Sequence, residues 1–140
     1  MVNLTFLKFT FLFLVITLSA SAQDYTGKWL VQKKDGVVEL YKKGNTYYGK
    51  VIRGKNLVKK DGTLLRDSKN PDKSKRNRAI RNMVFLSNFK KQGKELVGGK
   101  LYDSRTGKSY KGKIWLENGK LKVRGYLGIF YETRTWTRLK

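Results

Sequence analysis

Along most of the chain, apolar and polar residues alternate in short runs, and each run ends in turn chemistry. "GKWLVQKK" stops at Asp35-Gly36, "VVELYKK" stops at Gly44-Asn45, and "TYYGKVI" follows. Then come "MVFLSNFKK", "ELVGGKLY", "SYKGKIWLE", "KLKVRGYL" and "ETRTWTRL", separated by "KQGK", "DSRTGK" and Asn118-Gly119. A period of two marks half-buried strands, and two-residue Gly/Asn loops favour the turns whose twist matches such strands. Helical stripes are hard to find. The pattern predicts an all-β antiparallel up-and-down meander of about eight strands. Eight strands suffice to close a small barrel and abolish its edges. An open sandwich is the competing architecture.

One segment breaks the rhythm. Residues 53–82 carry eleven Lys/Arg against Asp61, Asp67 and Asp72, a net charge of +8. Connections longer than about 15 residues are uncommon in compact domains and are often lids or binding loops. Arg76, Arg78 and Arg81 are its candidate cover residues. The alternative is a solvated insertion holding a short helix or an extra strand, and "LVKKDGTLL" has the form of a small hairpin. In "DSKNPD", Asp67, Asn70 and Asp72 are hard oxygen ligands of the kind a calcium loop needs. Interleaved lysines oppose a cation there, so a turn built by Asx side chains is favoured.

The strand register narrows the chemistry. With Asn118-Gly119 as a two-residue loop, Leu116 opposes Leu121, Ile114 opposes Val123 and Gly112 opposes Gly125 on one face. The other face carries Glu117/Lys120, Trp115/Lys122, Lys113/Arg124 and Lys111/Tyr126. Slipping by one residue would expose four aliphatic side chains, each worth about 1.5–3 kcal/mol when buried. The second face is therefore the exterior. It forms a basic, aromatic patch of Lys111, Lys113, Trp115, Lys122, Arg124 and Tyr126. Such a patch suits phosphate head groups, glycans or single-stranded nucleic acid, or is ordinary barrel wall with lysine stems lying along rings. In the last strand, a tight connection at Ile129-Phe130 would set Arg134 opposite Gly125, Trp136 opposite Val123 and Arg138 opposite Leu121. All three would then point inward, with Gly112 and Gly125 leaving room for a guanidinium. A bulge at Gly128 would turn them outward instead. A buried arginine keeps its proton and needs an acid or an anionic ligand; Glu39 and Glu132 are candidate partners.

Composition changes the picture in three ways. The chain has 140 residues, no cysteine, no histidine and a formal charge of +22. Without His or Cys there is no thiol nucleophile, no Ser-His triad and none of the usual zinc or copper ligands. The ten carboxylates form no catalytic pair, so no enzyme, cofactor or metal site is expected. The beginning reads as a secretory signal: "MVNLTFLK", the apolar "FTFLFLVITLSA", and small residues through Ala22. Cleavage near Ala22 would leave one domain over residues 23–140, periplasmic or secreted, with no transmembrane segment. A domain of that size can bury a core unaided, hiding roughly 65% of its unfolded surface. Its positive charge predicts salt-sensitive attraction to polyanions. Export makes an anionic envelope surface a nearer partner than nucleic acid.

The ordered set "GKWLVQ", "GNTYYGKVI", "DSKNPDKSKRNRAIRN", "GGKLYDSRTGKSYKGKIWLENGKLKVRGYLG" and "RTWTR" resembles the bacterial family called domain of unknown function 2147. The resemblance implies a secreted or periplasmic protein with a lipocalin-like antiparallel barrel, and no particular activity. A cysteine often found near "YKGKIW" in that family is replaced here by Gly112, so any role tied to its thiol would be absent. The start at Gly27-x-Trp29 is also similar to lipocalin closure, in which a tryptophan plugs one barrel end under a C-terminal arginine, here Arg134 or Arg138. Together these readings lead to a non-catalytic barrel binding an anionic small molecule or lipid-like ligand through Trp29, Arg134, Trp136 and Arg138. The alternative is a module that meets polyanionic surfaces through its basic exterior.

Overall fold

The computed structural model describes residues 24–31, 36–55 and 57–140. The expected signal peptide, with its cleavage near Ala22, lies outside the described residues, and so does Asp35 of the first expected turn. Eight strands follow one another: β1 (Gly27–Leu30), β2 (Gly36–Lys43), β3 (Thr46–Gly54), β4 (Val84–Gln92), β5 (Glu95–Asp103), β6 (Lys108–Glu117), β7 (Lys120–Leu127) and β8 (Phe130–Arg138). Each pairs antiparallel with the next, and β8 returns to β1 through Trp29↔Arg138 and Leu30↔Thr137. The sheet therefore closes into a barrel rather than opening into a sandwich, with those two pairs forming the seam between its first and last strands. Among the described residues no helix is long and apolar enough to cross a membrane.

Local sequence explains the tight turns. Gly44, Gly93, Gly128, Asn118 and Gly119 all take positive φ at hairpin tips, which glycine and asparagine adopt at least cost. The β6–β7 register is the one expected, from Glu117↔Lys120 through Lys111↔Tyr126. The last hairpin differs. Its loop is Gly128-Ile129, so Arg134 opposes Val123, Trp136 opposes Leu121 and Glu132 opposes Gly125. The shift is two residues, which preserves the facing of every side chain. Positive φ at Gly128 makes the two-residue turn there, where a loop one residue later was expected.

Bulges break the simple alternation. One extra residue in β4 near Asn88 (φ 61°) lets both Leu86 and Phe89 point inward. Gly98 (φ 76°) does the same in β5 for Leu96 and Gly99. Phe89 then lies across a glycine row formed by Gly99↔Gly112 and Gly112↔Gly125. A Cβ at Gly99 would sit 2.1 Å from the Phe89 ring, and one at Gly112 would sit 2.7 Å from it. The space at Gly112 is thus taken by Phe89 and Leu101, not by an arginine as expected.

The interior is filled at one end only. Tyr25, Trp29, Leu40, Leu86, Phe89, Leu96, Ile114 and Leu121 are essentially inaccessible and pack the half that holds the start of β1, the end of β8 and the β2–β3, β4–β5 and β6–β7 turns. Tyr25 crosses this end, its hydroxyl donating to the Lys94 carbonyl at 2.8 Å while the Trp29 indole donates to the Tyr25 carbonyl at 3.0 Å. The long β3–β4 connection sits at the other end. It contains one turn of 3-10 helix (Lys73–Lys75) and two isolated bridges, Val58↔Leu64 and Arg66↔Ala79. "LVKKDGTLL" is therefore a small hairpin, as its sequence suggests. A second apolar cluster, Leu57, Ile80 and Met83, packs this connection onto Val51, Leu65, Phe85 and Tyr102.

Candidate functional site

Between the packed half and the long loop lies a cavity of about 740 Å³. That size suits a small molecule or a lipid chain. Its apolar lining comes from opposed sources. Val38, Val51, Phe85, Leu101, Val123 and Trp136 are strand residues that follow the inward alternation or sit beside a bulge. Leu57, Leu65, Ile80 and Met83 come from the long connection, whose apolar residues roof the barrel.

Charge gathers at the rim. Arg53, Lys55, Arg105 and Arg134 line the cavity beside Asp103 and Glu132, four cations against two carboxylates. Asp103 receives both Nε and Nη2 of Arg105 at 3.1 Å. Burial raises the Asp103 carboxyl, but its bonds with Arg105 and the nearby Arg134 outweigh that and hold it below the usual aspartate range. Arg134 Nη2 donates to Glu132 at 3.1 Å, with both side chains substantially in water. Among the described residues, neither Arg53 nor Lys55 forms an ion pair. The rim thus holds two cations free of carboxylates and two in pairs that water can reopen.

The loop wall is clamped from behind. Asp67 is fully buried, and its carboxylate accepts from Asn70 Nδ2 (2.8 Å), Arg78 Nε (2.9 Å) and the Tyr102 hydroxyl (2.5 Å). Burial alone would raise its pKa; the three donors and the Arg78 charge outweigh that and lower it. Tyr102 is pushed up to about 12, by burial first and by its bond to the carboxylate next. Asn70 Oδ1 accepts from the Asp72 amide at 2.9 Å, so the segment is the Asx turn that "DSKNPD" favours. Among the described residues no three His, Cys, Asp or Glu side chains gather to hold a metal ion.

The residues singled out in the sequence separate into distinct places. Arg134 and Trp136 do face inward and line the cavity. Trp29 and Arg138 do not line it; they close the opposite end. The Arg138 guanidinium lies 4.2 Å from the Trp29 ring and donates to the carbonyls of Thr26 (2.8 Å) and Asp24 (2.7 Å). Of the two arginines considered for covering Trp29, the cover is Arg138. Arg76, Arg78 and Arg81, expected as a cover, are not among the residues that line the cavity. Arg78 is committed to Asp67, and Arg76 Nε to the Asn70 carbonyl at 2.7 Å. Glu132 does pair with Arg134, while Glu39 pairs with Lys50 on the wall.

The exterior patch forms as a cross-strand ladder. The Arg124 guanidinium packs 4.9 Å from the Trp115 ring and 4.1 Å from the Tyr131 ring, and its Nε donates to Thr133 at 2.7 Å. Lys122 bonds Thr135 at 2.7 Å, and Lys113 pairs with Glu95 at 3.3 Å. Lys111 stands opposite Tyr126 and is exposed. Most of these cations already have partners within the wall. Sequence reasoning missed the rim residues Arg53, Lys55 and Arg105 and the Asp67 clamp. A signal existed for the loop, since Leu57, Leu65 and Ile80 interrupt an otherwise charged stretch.

Comparison with known proteins agrees with this architecture. The profile of a bacterial family described as "Uncharacterized protein conserved in bacteria (DUF2147)" matches residues 27–138. Among solved structures, the chain is similar to protein HP1028 of Helicobacter pylori, described as belonging to the lipocalin family. The two share 26% identity over 85% of each chain, with a TM-score of 0.72. No curated protein matches the chain.

Proposed function

The chain belongs to the DUF2147 family and folds as a lipocalin-like barrel, and on that premise we propose that it is a non-catalytic binding protein for an anionic amphiphile. The observation that carries this reading is the half-filled barrel. An apolar cavity of about 740 Å³ opens at a rim where Arg53, Lys55, Arg105 and Arg134 outnumber Asp103 and Glu132. An acyl or ring portion would displace water from the lining, at roughly 25 cal/mol per Å² of apolar surface covered. An anionic head would meet Arg134 and the unpaired Arg53, and Glu132 would swing into solvent. The lack of His and Cys supports binding rather than turnover. The charge, apolar and A-x-A order of the first 22 residues supports action outside the cytoplasm; the mass of the protein recovered from its host tests that.

Binding is tested by titrating the purified protein with a fluorescent fatty acid while following tryptophan emission, since Trp136 lines the cavity. Arg134→Met is expected to abolish saturable binding and leave the unfolding midpoint nearly unchanged. Equal binding by parent and variant would remove Arg134 from the site. The second reading, contact with polyanions through the outer wall, has less support because Lys113, Lys122 and Arg124 are held by neighbouring side chains.

A further inference from the structure

The barrel mouth carries a feature that ligand binding does not require. The tip of the β7–β8 hairpin is apolar and stands in water: Ile129 is 90% exposed, Phe130 71% and Leu127 66%. The large hydrophobic residues most exposed in the described chain are gathered here, with Tyr131 at 61%. Isolated exposed apolar residues are ordinary, but a contiguous set on a protein of charge +22 calls for a partner. The tip is also held in place. Tyr131 packs against Tyr126 at 6.1 Å between ring centres and under the Arg124 guanidinium, so the hairpin is braced from the wall behind it.

Position and charge identify the partner. The tip lies at the cavity end of the barrel, where Leu127 and Phe130 are part of the rim beside Arg53, Lys55 and Arg105. The +8 connection between β3 and β4 emerges at the same end. A second copy of this chain would bring the same positive surface against it, so like charges oppose self-association. An anionic bilayer offers both complements at once: phosphate head groups for the cations and hydrocarbon below for the side chains. Apolar residues at the boundary with basic residues around them is the arrangement by which proteins lie on membranes.

We propose that the protein docks mouth-down on anionic lipid bilayers, with Leu127, Ile129 and Phe130 inserted below the head groups and the rim cations on the phosphates. This holds whatever the cavity carries. If the cavity takes an amphiphile, docking places its entrance against the lipid phase, and ligand passes between bilayer and barrel without crossing water.

The test is flotation of the purified protein with vesicles of phosphatidylethanolamine and phosphatidylglycerol, and separately with vesicles of phosphatidylcholine alone. The parent is expected to float with the anionic vesicles only, with binding that weakens as salt is raised. Ile129→Asp, at a position outside the cavity lining, is expected to reduce vesicle affinity on the order of a hundredfold. It should bind the fluorescent fatty acid as the parent does. Arg134→Met should lose fatty-acid binding and keep most of its vesicle affinity, because Arg53, Lys55 and Arg105 remain to meet the phosphates. Equal flotation of Ile129→Asp and parent would overturn the proposal and give the docking to the basic wall. Equal binding of the parent to neutral and anionic vesicles would also overturn it. So would a parent that ignores vesicles but forms a dimer, seen by sedimentation, that Ile129→Asp dissolves.

Discussion

Replacing Asp67 with alanine tests whether a single buried carboxylate holds the cavity's loop wall in place. In the folded protein its oxygens accept three hydrogen bonds, at 2.8 Å from Asn70, 2.9 Å from Arg78 and 2.5 Å from Tyr102. Hydrogen bonds to a charged group contribute about 1.5–3 kcal/mol each. Against that stands the cost of keeping the carboxylate dry, several kcal/mol, which the substitution removes. It leaves the Asn70 amide buried with one acceptor fewer. The Arg78 side chain, 35% exposed, regains water. Breaking a buried pair typically costs about 3–5 kcal/mol, and the partial exposure of Arg78 puts this one near 3. The loss should appear as local opening, because Asp67, Asn70 and Arg78 all belong to the connection and only Tyr102 of the clamp lies in a barrel strand, β5. The assay is hydrogen exchange at the Leu65 amide, bonded to the Leu57 carbonyl, and at the Ile80 amide, bonded to the Leu65 carbonyl. About 3 kcal/mol corresponds to exchange faster on the order of a hundredfold at those two sites. Amides of β6 and β7 should be unchanged. Exchange at Leu65 and Ile80 within about threefold of the parent would refute this reading and assign the loop's stability to Leu57, Ile80 and Met83. The same clamp predicts a pH window. The Asp67 pKa is lowered in the folded state, so its contribution is present above the ordinary value near ~3.9 and is lost as pH falls through the lowered value. Tyr102 is raised to about 12, so its contribution is present below ~10 and is lost as pH climbs toward the raised value.

Three further outcomes follow from the packing. Gly99→Ala should lower stability by about 1–3 kcal/mol, because its Cβ would meet the Phe89 ring at 2.1 Å; denaturant midpoints measure this, and Phe89→Leu should restore part of the loss. Arg138→Met should cost about 1–2 kcal/mol and shift Trp29 emission to the red, since two carbonyl contacts and the cover over the indole are lost together. Tyr102→Phe should remove one late-ionising phenol from the alkaline absorbance titration, and an unaltered titration curve would contradict the bond to Asp67.

The alternation of runs and the glycine and asparagine turns specify the eight strands and their order by themselves, because both signals are local. Pairing around Asn118-Gly119 was legible for the same reason: the loop sets the register, and any slip would expose Ile114, Leu116, Leu121 and Val123. The inward facing of Arg134 and Trp136 follows from parity once the β7–β8 pairing runs without a bulge, which the sequence left open, and it survives the two-residue shift at Gly128. What fills the interior was decided elsewhere. The bulges at Asn88 and Gly98 re-aim Phe89 and Gly99, and their effect depends on which strand lies alongside. That geometry gives the Gly112 space to an aromatic ring and leaves the far half of the barrel open. The fate of each cation is likewise tertiary. Arg78 goes to a carboxylate that folding buries, Arg138 to carbonyls 112 and 114 residues away in the chain, and Arg53 and Arg105 to the rim. Charge and spacing say how many arginines there are; only contacts between distant segments decide which of them still face a ligand.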